Sequence, residues 1–177
     1  KKFISKNNLD GIIIPKNDYY FTEYSKINNL ANVTNFTGSA GFALILKNKN
    51  YLFVDGRYTL QASKQSGRTF KIQEIPYKWP KNIKNIHNYK IGFDPKLFTN
   101  NTLERYFEKK VNLIPIEFKF ENIIRYKESR IFQLNASVTG ESFFSKINRI
   151  KKYMNKSNIN YLYSSASENN NWLLNIR

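Results

Sequence analysis

The fold is decided by residues 35–61, NFTGSAGFALILKNKNYLFVDGRYTLQ. Its two apolar runs, 42–46 and 51–54, have the length of buried strands rather than helices. Asn48-Lys49-Asn50 between them supplies a hairpin turn. Asp55 then stands where it can cap a helix running from about Arg57 to Ser66, with Gly67 as its stop. A hairpin followed by a helix leaves two features over. Small residues, Thr37-Gly38-Ser39-Ala40-Gly41, precede the first strand, and an arginine follows the second. Gly38 and Gly41 fit a tight backbone turn beside the strand, or close access for a ligand.

Outward from this unit the pattern is an alternation. Asp10 to Pro15 (DGIIIP) is a fully apolar run that predicts a buried strand, followed by a polar, aromatic loop over 17–24. Leu30, Val33 and Phe36 mark one face of a short helix. A strand is expected over 69–75, and Trp79-Pro80 opens a polar connection to another over 89–93, which Asp94-Pro95 breaks. Leu103, Tyr106, Phe107 and Lys110 mark an amphipathic helix, and 111–116 a last strand. Strands alternating with helices predict an α/β domain with a mixed β-sheet flanked by helices.

Beyond about residues 121–128 the character changes. Phe143, Ile147, Ile150 and Met154 recur at helical spacing. A strand over 159–163 and a helix ending in Trp172-Leu173-Leu174, capped by Ser165 or Ser167, complete the reading. A helix–strand–helix remnant of about 50 residues does not easily bury its own faces. The expectation is therefore a first domain over 1–125 and, over 126–177, a linker with the truncated start of a second domain.

Composition narrows the function. With 41% hydrophobic and 16% aromatic residues, the 177-residue chain can build a core. No apolar run approaches the ~20 residues of a membrane span, and the N-terminus lacks the apolar middle of a signal peptide. Cysteine is absent, which rules out disulfides and thiolate metal sites; a cytoplasmic location is the default expectation. The formal charge of +16 points toward polyanions. Yet 22 of the 29 basic residues are Lys, scattered along a chain that also holds 25 Asn. Nucleic acid is thus the disfavoured partner, and a solvated Lys-rich surface the preferred reading.

Catalytic chemistry is hard to find. A dinuclear hydrolytic centre needs several converging carboxylates and imidazoles, whereas this chain offers one His (His87), four Asp and nine Glu with no HExxH pattern. No Gly-x-Ser-x-Gly elbow occurs, and the Thr-Gly-Ser-Ala-Gly segment precedes a strand and lacks the ending of a phosphate loop. Arg57 remains. In the first turn of a helix the macrodipole disfavours a cation by ~0.3–1 kcal/mol, which a neighbouring Asp55 can offset. One reading is a surface ion pair. The other is an arginine held by Asp55 and Tyr58 so that its fork meets a ligand carboxylate or carbonyl.

Taken together, DGIIIPKND (10–18), Glu23-Tyr24, NFTGSAG (35–41), VDGRYTLQ (54–61) and IGFDP (91–95) resemble, in that order, the creatinase/prolidase N-terminal domain as carried by Xaa-Pro aminopeptidases (aminopeptidase P). TGES (139–142) with Lys146, then WLLNIR (172–177), resemble the opening of the second domain in the three-domain form; Asn169 to Asn171 depart from the acidic and apolar residues usual there. The resemblance implies a ribonuclease H-like α/β fold. It also implies a parent enzyme that releases the N-terminal residue from peptides with proline second, as a homodimer. Two divalent metal ions, usually manganese, would lie in a C-terminal pita-bread domain that is absent here. The fragment would then hold no catalytic residue and no metal ligand, and contribute Arg57 to substrate binding, supported by Asp55 and Tyr58. Alternatives are a prolidase-like Xaa-Pro dipeptidase, whose family members usually lack the extra domain, and a non-catalytic interaction or nucleic-acid-binding module.

Overall fold

The structure, a computed structural model, describes residues 1–22, 28–118 and 130–177. The chain forms two compact units, Lys1–Ile124 and Arg125–Arg177. Glu23-Tyr24 and the transition over 121–128 lie outside the described residues.

In the first unit, α1 (Lys2–Lys6) leads into β1 (Gly11–Pro15), followed by α2 (Asn29–Thr34), β2 (Phe42–Leu46), β3 (Asn50–Asp55), α3 (Thr59–Ser66), β4 (Lys71–Ile75), β5 (Lys90–Phe93), α4 (Asn100–Phe107) and β6 (Asn112–Pro115). The six strands make one sheet in the order β4-β3-β2-β1-β5-β6. Only β2 runs against its neighbours; β3 with β4, β1 with β5, and β5 with β6 are parallel. This is the mixed α/β sheet that the alternation of apolar runs predicts.

Register follows from side-chain alternation. Phe42, Leu44, Tyr51, Phe53, Ile13 and Ile91 share one face and pack with Leu103 and Phe107 of α4. Ala43, Leu52 and Val54 share the other with Leu30 of α2 and Ala62 of α3, while Ile12 and Ile14 meet Ile4 and Leu9. Because side chains alternate with a period of two, a slip of one residue would carry each set to the opposite face and against the wrong partners. The hairpin closes as expected, with the Leu46 amide donating to the Lys49 carbonyl at 2.8 Å.

Local differences from the sequence reading have physical causes. The helix after Asp55 opens with a 3-10 turn, Gly56–Tyr58, before α3 begins at Thr59. Lys110 lies outside α4, because Glu108 turns into the left-handed region (φ 47°) and ends it. Likewise Phe36 lies beyond α2, which stops where Asn35 takes φ 62°.

The second unit holds α5 (Ala136–Thr139), α6 (Phe143–Lys156) and α7 (Ser167–Leu174). Ser142 caps α6 by accepting from the Ser145 amide. The expected strand over 159–163 does not form. A strand needs a neighbour to meet its backbone groups, none pairs there among the described residues, and Tyr161 and Tyr163 stand 93% and 89% exposed. Neither Ser165 nor Ser167 caps α7. Its N-cap is Ala166, without a side-chain bond, since Ser167 is already the first helical residue.

Candidate functional site

The C-terminal ends of the parallel strands and the N-terminal end of β2 share one edge of the sheet. Pro15 pairs with Phe42, Phe42 with Phe53, and Asp55 with Ile75. In α/β sheets this is the edge where ligands bind. The corner after β3 and the small-residue loop before β2 both stand on it.

Asp55 organises the corner. Its backbone is extended (φ −77°, ψ 168°), and its Oδ1 accepts from the Arg57 amide at 2.9 Å, capping the 3-10 turn. The same carboxylate receives the Arg57 fork, Nε to Oδ1 at 3.0 Å and Nη2 to Oδ2 at 2.8 Å. Such a two-bond pairing fixes the plane of the guanidinium as well as its position. The Arg57 side chain bonds hold the Asp55 carboxyl below the ordinary carboxylate range, helped by the Arg57 amide and opposed by partial burial. Arg57 nevertheless stands at the surface, with its side chain 75% exposed.

Tyr58 links the corner to the loop. Its hydroxyl lies 2.8 Å from Ser39 Oγ, its ring meets that of buried Phe36 edge-on (5.8 Å, 82°), and the Arg57 guanidinium sits 5.3 Å from its centroid. The loop is held from α3 as well: the Thr37 amide donates to Gln65 Oε1 at 3.0 Å, and Gln65 and Gln61 both donate to Thr37 Oγ1, at 2.9 and 3.1 Å.

The glycines are explained by space and torsion. A Cβ on Gly38 would lie 2.2 Å from Phe36 Cζ, and one on Gly41, at φ +149°, would lie 2.8 Å from the Phe53 carbonyl. Both therefore serve the turn, and let Phe36 pack beneath it. Ser39, Gln61 and Gln65 escaped the sequence reading. Gln61 and Gln65, one helical turn apart, were the available sign of a shared face reaching back to the loop.

The structure thus brings Asp55, Arg57 and Tyr58 together as one braced group that includes Ser39. His87, by contrast, is exposed and enters none of these contacts. Among the described residues no group of three or more His, Asp or Glu side chains converges, and no helix is long and apolar enough to cross a membrane.

A sequence model of the creatinase/prolidase N-terminal domain matches residues 1–123, and a second model of that domain matches 125–177. The chain belongs to the creatinase/prolidase N-terminal domain family. Among curated relatives it is 28% identical over its whole length to a probable Xaa-Pro aminopeptidase P of Coprinopsis cinerea, covering 31% of that protein. It is 26% identical, again over its whole length, to Xaa-Pro aminopeptidase 1 of Dictyostelium discoideum, covering 32%. The chain therefore spans about a third of the curated relatives it matches. In fold it is similar to the X-prolyl aminopeptidase of Caenorhabditis elegans, described as a cytosolic enzyme with a di-nuclear active site. There the TM-score is 0.74 at 20% identity, over 96% of this chain and 30% of that one.

Proposed function

We propose that this chain is the N-terminal part of a proline-specific metalloaminopeptidase, and that Arg57 is its contribution to peptide binding. The observation that carries the reading is that the aminopeptidase relatives run end to end through both matched regions. On this reading residues 126–177 begin a second, similar domain. Two divalent ions, manganese by family resemblance, belong to the rest of the parent chain, which acts in the cytoplasm as a homodimer.

Within this chain the chemistry is positional. Asp55 holds the guanidinium plane and Tyr58 backs it, so that the arginine meets a carbonyl or carboxylate of the bound peptide without reorganising. Fixing such a group beforehand lowers the ordering cost of binding. The test uses the intact parent enzyme with peptides carrying proline second. Arg57→Ala should raise KM about tenfold or more, consistent with loss of a charge-assisted hydrogen bond. Arg57→Lys should restore little, because an ammonium cannot reproduce the fork. Unchanged kinetics in both variants would remove Arg57 from the pocket. The 177-residue chain alone, with manganese added, should cleave no Xaa-Pro peptide, and a robust metal-dependent rate would overturn the assignment of catalysis to the rest of the parent.

A further inference from the structure

The lysines that look scattered in sequence are partly gathered by the fold. At the end of the sheet opposite the Arg57 corner, a cavity of about 470 Å³ opens over the start of β3 and β4. Lys49 comes from the hairpin, Lys71 from β4, where it pairs in register with Tyr51, and Lys78 and Lys84 from the connection after β4. Among the described residues no carboxylate lines it. An adjoining cavity of about 270 Å³ shares Lys49, Lys84 and Tyr51 and adds Lys47; among the described residues its one acid is Asp10, which already accepts from Lys47 at 3.0 Å and from the Lys90 amide at 2.9 Å.

Elsewhere on this unit Lys81 pairs with Glu108, Lys96 with Glu117 and Lys109 with Glu104, while exposed Lys2, Lys6, Lys64 and Lys90 stand dispersed rather than around one cavity. Among the described residues, none of Lys49, Lys71, Lys78 and Lys84 forms an ion pair. A concave surface lined by one sign of charge concentrates the field and draws counter-ions of the other sign. Around the four ammonium groups, Gln73, Asn82 and Asn85 add amides that can donate hydrogen bonds to anionic oxygens. The volume falls in the range of about 300–1,000 Å³ that accepts a small ligand, far short of a nucleic-acid channel.

We propose that this cavity binds a small ligand carrying several phosphates in a row, the triphosphate chain being the class that fits its charge and size. The proposal is independent of the peptidase reading, since it uses neither Arg57 nor the parent's metals.

Calorimetric titration of the 177-residue chain with inorganic tripolyphosphate, at about 50 mM salt to limit screening, tests it. One saturable site is expected. Lys49→Gln with Lys84→Gln should weaken it by about tenfold or more, because half the ring of charge is gone. Lys151→Gln with Lys152→Gln, which removes as much charge from exposed positions of α6, should leave it unchanged. Circular dichroism checks that each variant is folded. ATP in place of tripolyphosphate separates the sources: equal affinity means that the phosphates alone are read, and tighter binding that a nucleoside adds contacts. Equal loss in both double variants, or no saturation, overturns the proposal. Tighter binding of single-stranded DNA than of tripolyphosphate overturns it too, in favour of a macromolecular partner.

Discussion

The hydroxyls of Ser39 and Tyr58 lie 2.8 Å apart, joining the loop before β2 to the turn after β3. Through this bond the small-residue segment and the Asp-Gly-Arg-Tyr segment become one structure, with Phe36 filling the space beneath. The bond is half-buried, and a net contribution of about 0.5–1.5 kcal/mol is expected for it. Ser39→Ala and Tyr58→Phe should each lower stability by that order in denaturant unfolding. The double variant should cost less than the sum of the two, because both remove the same bond. Strict additivity would show that the hydroxyls act separately.

Gly41 should be far less tolerant than its exposure suggests. At φ +149° it occupies backbone space that side chains rarely enter, and a Cβ there would also press on the Phe53 carbonyl at 2.8 Å. Backbone strain of this kind costs about 1–3 kcal/mol, before the overlap is relieved. Gly41→Ala is therefore expected to lower the unfolding midpoint more than either hydroxyl deletion, and a loss smaller than theirs would contradict the strain argument.

Much of this was legible in the chain. The apolar runs at 10–15, 42–46 and 51–54 have strand length, and the strands form there, over Gly11–Pro15, Phe42–Leu46 and Asn50–Asp55. Asp55 announced its cap by position alone. What was illegible depends on contacts distant in sequence. Ser39 meets Tyr58 across 19 residues and Thr37 meets Gln65 across 28, and no local pattern encodes either. The expected strand over 159–163 failed for the same reason: its sequence favours extension, but pairing requires a partner strand. The lysine cavity was legible only in part: Lys78 and Lys84 form a small knot in the sequence, whereas Lys49 is 35 positions from Lys84 and its neighbour only in the fold.

The Asp55 carboxyl gives a pH-resolved test of the corner. Its folded pKa is depressed by the Arg57 side chain first and the Arg57 amide next. The stabilisation is thus fully present above the unfolded value of about 3.9 and is lost as pH falls through the lower, folded value. With Arg57 75% exposed, screening limits the pair to about 0–1 kcal/mol. The effect is better read at the carboxyl itself. In an NMR titration Arg57→Ala should raise the Asp55 pKa toward its ordinary value. Asp10, held low by the Lys90 amide and by Lys47, should not move. An Asp55 titration unaffected by the variant would mean that the fork does not persist in solution.

In the second unit, stability should hinge on Lys146, which is only 3% exposed. Its ammonium donates to the Trp172 carbonyl at 2.7 Å and to Asn175 Oδ1 at 2.6 Å, and lies 4.2 Å from the Trp172 ring centroid. It therefore closes the end of α7, where Asn175 turns left-handed (φ 54°) and donates in turn to the Glu141 carbonyl at 2.9 Å. Lys146→Met keeps the apolar stem and removes the donor, leaving the buried Asn175 Oδ1 without it at a cost of about 1.5–3 kcal/mol. With Trp79→Phe as background, Trp172 fluorescence reports this unit alone, and its unfolding midpoint should fall clearly. Arg149→Ala removes a cation 6.0 Å from the same ring, at an exposed position paired with Glu141, and should cost no more than about 1 kcal/mol. If the two variants weaken the unit equally, the ammonium acts only as a positive charge near the ring, and the hydrogen bonds that close α7 contribute nothing measurable.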